Sequence, residues 1–187
     1  MIGCGTHTNH YFYVSNPSVI VHQKNIGIWI DATFSFQDKN IIVHDIEEWN
    51  YVLNGEIVLK VVDTNFNMED NKIDEAGATG GWIILKIDRY NSMIPKSQDG
   101  YVTLAFTDAI AGHLMFVVRD QMISNTMMQG VILHEMGHLL GAQHDQSGLM
   151  LPNYSEVGFH CVDEDAMKEV AEYWHLDSDH LNFCYQN

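Results

Sequence analysis

In "NIGIWIDATF", Ile26, Ile28 and Ile30 recur at every second position, which places them on one face of a strand. The period then changes. Ile42, Ile46, Trp49 and Leu53 fall at helical spacing, and Gly55 follows as a stop, so the pattern predicts a helix over 36–53. "EIVLKVVD" (56–63) reads as a strand and "GWIILKID" (81–88) as a more deeply buried one. The acidic, glycine-rich stretch between them reads as a loop. "GYVTLAF" (100–106) and "HLMFVVRD" (113–120) are further strand candidates. A second helix starts at Ser124-Asn125, good capping residues, runs to about Leu140 and ends at Gly141. Residues 142–160 show no strong period. A last helix covers about 163–174, capped by Asp163, with Ala166, Val170 and Trp174 on one side. Residues 1–24 show no clear period, and no internal repeat is visible. Strand, helix, several strands, helix, loop, helix is an α+β order: one sheet with helices packed on it, then a small C-terminal part.

Length and composition fit one domain over 1–187, with 46% hydrophobic residues and only 3 prolines. No stretch has the apolar length of a membrane span. The formal net charge of −16 argues against nucleic acid and anionic membranes as partners, and leaves room for bound cations such as calcium. Most of these charges read as a solvated acidic surface. Three cysteines are too few for a disulfide scaffold. Cys161 and Cys184 flank the last predicted helix; a bridge between them and two free thiols are both open, and either leaves Cys4 alone. "MIGCGTHTNH" has no basic segment and no apolar core of a signal peptide, although small residue, Cys, Gly reads like the tail of a lipoprotein signal.

The chemistry concentrates in "LHEMGHLLGAQHDQSGLMLPNY", 133–154. His134 and His138 are one helical turn apart and differ by about 40° in direction, so two imidazole nitrogens can reach one metal. Glu135 sits about 100° round from His134, beside such a metal and not on it, where a general base must stand. Gly141 lets the backbone leave the helix in a left-handed turn, and His144 can then return to the same point. Three neutral histidines and an open fourth position make a catalytic zinc site, not a structural one. His-Glu-x-x-His alone arises readily by chance in a chain with 11 histidines. The longer pattern, with Gly141 and His144 at fixed offsets, does not.

"HEMGHLLGAQH" resembles the HExxHxxGxxH signature of the metzincin metallopeptidases, and Met150 in "SGLM" is similar to their Met-turn. "LMLPNY" is similar to the matrixin branch, the matrix-metalloproteinase-like enzymes. The resemblance spans 26–175, with 131–154 its specific part. It implies a zincin-like α+β fold: a mixed twisted sheet of about five strands, three helices, and a small C-terminal subdomain below the zinc cleft. On that pattern 1–24 is an N-terminal extension, 25–141 the upper subdomain and 142–187 the lower.

The resemblance further implies a zinc endopeptidase with one catalytic zinc on His134, His138 and His144. Glu135 is then the base and Met150 a packing floor. Pro152, Asn153 and Tyr154 become the wall of the S1′ pocket, with Val131 facing that pocket. "GYVTLAF" is the edge strand that pairs with an extended substrate. The implied setting is secreted or extracellular, the implied partner a protein or peptide, the implied state a monomer. Virion association and lipid attachment through Cys4 are alternatives.

Several positions depart from the matrixin pattern. His144 is followed by Asp145, as in adamalysins, and the step to Met150 is short. No His-x-Asp run marks a structural zinc, and His113 reads as an ordinary histidine. Cys4-Gly5 shares two letters with the latency segment of matrixins but lacks its flanking residues. Two other functions compete: a metzincin-shaped structural or binding component of a virion or surface assembly, and a metal-buffering acidic domain. Glu135 and all three histidines are present, which favours the enzyme.

Overall fold

The computed structural model describes residues 2–3, 25–67, 80–95, 101–108, 114–154 and 161–184. Cys4, His113 and residues 155–160 lie outside them. Its strands are β1 (Ile2–Gly3), β2 (Asn25–Asp31), β3 (Val58–Phe66), β4 (Trp82–Lys86), β5 (Ala105–Asp108), β6 (Leu114–Val117) and β7 (Asn153–Tyr154). Its α-helices are α1 (Phe36–Leu53), α2 (Asn125–Leu139) and α3 (Glu164–Trp174). Five strands form one mixed sheet in the order β3-β2-β4-β6-β5. All neighbours in it are parallel except β5, which runs antiparallel to β6 at the edge. This is the α+β arrangement expected from the pattern.

Sequence texture follows position in the sheet. β4 is central, and its first four residues, Trp82–Leu85, are all buried. A parallel strand covered on both faces needs such an unbroken apolar run. Ile28, Ile30, Trp82, Ile84, Met115 and Val117 face the helices and join the main core. Trp29, Ile83, Leu85, Phe106 and Phe116 form a second cluster, with Phe106 stacked on Phe116 at 4.8 Å.

The helix ends are set by local chemistry. Ser35 accepts from the Asp38 N–H and Ser124 from the Met127 N–H, each filling one orphan donor of a first turn. α1 ends at Leu53, as the period predicts: Asn54 takes the left-handed conformation at φ 45°, and Gly55 continues it at φ 83°. β3 starts later than the apolar pattern suggests and runs further. The Asn50 side chain holds both the N–H and the C=O of Leu59 at 2.8 Å, pinning the entry of β3 to α1.

Of the stretch expected as a strand over 100–106, Ala105 and Phe106 lie in β5, and Thr103 forms an isolated bridge. The partner strand β6 ends at Val117 and the chain turns into a short 3-10 helix at Arg119–Gln121. Just past the end of β6, Val118 N–H bonds to the Leu104 carbonyl. Cys161 and Cys184 are joined in a disulfide, which decides between the two states left open by the sequence. No helix among the described residues is long and apolar enough to cross a membrane.

α1 lies along α2 on the helical side of the sheet. Trp49, fully buried, donates its indole N–H to the Leu133 carbonyl at 3.1 Å, one residue before His134. At the other end Arg119 donates to Asp38 on α1 at 2.7 Å and to Asn125 on α2 at 3.0 Å. Trp49→Phe keeps most of the apolar bulk but removes the donor. It is expected to cost about 1–3 kcal/mol in urea unfolding. No loss would mean that the carbonyl bond does not help to seat α2.

Candidate metal centre

α2 runs through the core, so its residues are buried on nearly all sides. His134 is 4% exposed and Glu135 1%. His138 lies one turn on, on the same face. The helix ends at Leu139 with Leu140 as its cap, and Gly141 reverses the chain at φ 101°. A Cβ there would also run into the Tyr173 ring, so conformation and space both reserve the position for glycine. The turn is closed by Gly141 N–H to the His138 carbonyl at 3.1 Å and Ala142 N–H to the Gly137 carbonyl at 2.9 Å. His144 is thereby delivered to the two helical histidines. The ring centroids are 4.7, 5.3 and 4.6 Å apart for the pairs 134–138, 134–144 and 138–144.

Each helical imidazole is oriented from behind. His134 donates its Nδ1–H to the Leu149 carbonyl at 2.7 Å, and His138 donates its own to the Ala142 carbonyl at 2.9 Å. A carbonyl can only accept, so both rings carry the proton on Nδ1 and present an Nε2 lone pair inward. The inward nitrogen of His134 is buried and has no hydrogen-bond partner among the described residues. One nitrogen from each of the three rings lies within 4.8 Å of the others. The His138 and His144 Nε2 atoms are 3.1 Å apart. Two nitrogens bound tetrahedrally to zinc at 2.0–2.1 Å would be about 3.3–3.4 Å apart, so the pair fits that edge. Among the described residues this is the one cluster of His, Cys, Asp or Glu with metal-ligand spacing.

Burial also keeps the rings uncharged. Desolvation, with the neighbouring His138, pushes His134 down to about 3, and desolvation pushes His138 down to about 4. Burial lowers His144 in the same direction. Neutral imidazole is the form that binds a metal, so the donor set suits zinc.

Met150 is 1% exposed and its sulfur sits under α2. A Cβ on Gly137 would come within 2.7 Å of that sulfur, so the glycine between the ligands is what lets the methionine approach. Asp145 N–H bonds to the Met150 carbonyl at 3.0 Å and closes the short step between them. The Asp145 carboxylate caps its own turn by accepting from Gln146 N–H at 2.5 Å. Val131 is buried in the main core, and Tyr154 packs against the same cluster. Asn153 and Tyr154 form β7, which pairs antiparallel with Ile2–Gly3. Pro152 is half-buried beside them. Three contributors had no sequence signal: the carbonyls of Ala142 and Leu149, and the absent side chain of Gly137.

The mixed five-stranded sheet, the three helices and the histidine trio at the end of α2 together define a metalloproteinase-like fold. Among solved structures the chain is similar to metalloproteinase-II from Bacteroides fragilis, with a TM-score of 0.53 over 79% of this chain at 16% identity. The chain spans about half of that one, 52%. At this identity the likeness is one of fold. No protein-family model matches the chain, and no curated protein sequence matches it.

Neutral buried histidines make the metal-free protein acid-sensitive. Unfolded histidines bind protons below about pH 6.5, whereas His134 and His138 stay neutral down to about 3 and 4. Stability is therefore lost as the pH falls from 7, by up to about 1.4 kcal/mol per pH unit for each histidine. Asp45, buried on α1, works the other way. Burial and then Glu48 hold its carboxyl well above the usual carboxylate range, so acidification relieves a cost. Urea midpoints of the metal-free protein should thus drop between pH 7 and 5, and drop further in Asp45→Asn. A midpoint that holds steady in that variant would contradict the neutral-histidine account.

Proposed function

We propose that the chain is a zinc-dependent endopeptidase of the matrixin-like metzincin type. The observation that carries this is the convergence of three neutral imidazoles, two from α2 and His144 from the turn after it, together with the buried Glu135 on α2. His134, His138 and His144 would hold the zinc. A zinc ion there supplies Lewis acidity, polarising the scissile carbonyl and acidifying a water molecule. The Glu135 carboxylate takes the proton from the attacking water and hands it to the leaving amine nitrogen. Met150 is the floor of the site.

The substrate in this reading is an extended polypeptide. Among the described residues β5 is an edge strand of the sheet and packs on α2, which suits it to main-chain pairing with a peptide. Pro152, Asn153 and Tyr154 form the S1′ wall. β7 already pairs with a strand of the chain itself, so its edge accepts extended backbone. The domain divides into an upper part, 25–141, and a lower part, 142–187, with the cleft between them. The disulfide fits a secreted or extracellular setting, since such bonds persist in oxidising compartments.

Glu135→Gln removes the base and leaves the three ligands. It is expected to keep one zinc per chain and to lower hydrolysis of a quenched peptide by about 10²–10⁴-fold. Wild-type turnover in that variant would defeat the mechanism.

A further inference from the structure

We infer that Asp163, the capping residue of α3, is also the positioning residue for the metal ligand His134. The inference rests on the reading of His134 as a zinc ligand.

The Asp163 carboxylate gathers three N–H donors from two separate segments. Oδ1 accepts from Asp165 N–H at 3.1 Å and Ala166 N–H at 3.0 Å, which is the ordinary work of a helix cap. Oδ2 accepts from the Leu149 N–H at 2.5 Å, fourteen residues back along the chain. Leu149 is the residue whose carbonyl receives the Nδ1–H of His134. One peptide segment is thus held by a carboxylate on its N–H side, while its carbonyl holds the imidazole. Moving the Leu149 backbone would turn the His134 ring and redirect its inward nitrogen.

The turn is built around this carboxylate. Gly148 has φ 71°, and a Cβ on it would run into Asp163. Leu149 is 5% exposed and Val162 fully buried, so little water competes for the bond. The segment bearing Asp163 is itself tied down. The disulfide Cys161–Cys184 lies two residues before it, and Cys184 N–H bonds to the Val162 carbonyl at 2.9 Å. The cap of α3 therefore reaches the site through one bond to Leu149. Loss of an outer hydrogen bond of this kind typically weakens metal binding by about 10–100-fold.

Two variants separate capping from positioning. Serine caps a helix well but is too short to reach the Leu149 N–H. Asparagine is an equally good cap of the same shape, and with its oxygen on α3 it turns an NH₂ toward that N–H. Asp163→Ser and Asp163→Asn are compared with wild type for thermal midpoint, for zinc affinity by chelator competition, and for the NMR signal of the His134 Nδ1–H. The inference predicts a zinc affinity about 10–100-fold weaker in both variants, beyond any shift in midpoint, and a displaced or exchange-broadened Nδ1–H signal. Zinc affinity within twofold of wild type and an unmoved signal in the folded variant, or in both, would overturn it. Should the serine chain not fold, the asparagine chain decides the matter alone. A wild-type protein that binds no zinc would instead defeat the proposed function, a result these measurements also register.

Discussion

Two helical imidazoles, His134 and His138, present their Nε2 lone pairs to one buried point, with His144 beside them. The His138 and His144 nitrogens stand 3.1 Å apart, and that of His134 is buried without a hydrogen-bond partner. Left to themselves, such rings would turn outward or take up protons. Here the Leu149 and Ala142 carbonyls hold the Nδ1–H groups of the helical pair from behind, and burial suppresses protonation. The protein thus holds three nitrogen donors at a spacing that suits a divalent cation. Binding free energy of that kind becomes folding free energy for the segments that carry the ligands.

Much of the surrounding architecture serves that arrangement. α2 is threaded through the core, so two ligands and the Glu135 carboxylate start from a backbone that cannot drift. Trp49 adds a direct bond from α1 to the Leu133 carbonyl. Gly141 turns the chain where no side chain fits, and Gly137 leaves room for the Met150 sulfur. From the far side, α3 reaches the same place through Asp163 and Leu149. Elements distant in sequence meet on residues 133–150, while the sheet supplies the rigid platform beneath them.

Legibility in the sequence followed the range of the interaction. The three helices were readable because period and caps are local: Ser124 and Asp163 act on N–H groups two or three residues on. The histidine trio was readable because HExxHxxGxxH spans a single helix and turn, in which Gly141 has one geometric task. Long-range pairing was not. The start of β5 depends on where β6 stops, and the start of β3 on a side-chain clamp from Asn50. The disulfide needed two segments brought to a Cα–Cα distance of 6.1 Å, which spacing alone leaves undecided. The carbonyls behind the ligands carry no residue signature, since any amino acid offers one. Asp163 was recognisable as a cap, but its bond to Leu149 follows only from the fold.

Zinc K-edge X-ray absorption on the protein loaded with one equivalent of zinc tests the centre most directly. The account predicts a shell of nitrogen and oxygen at about 2.0–2.1 Å, with the outer scattering of three imidazoles and no sulfur. A sulfur shell near about 2.3 Å, fewer than three imidazoles, or zinc that fails to stay bound would contradict it.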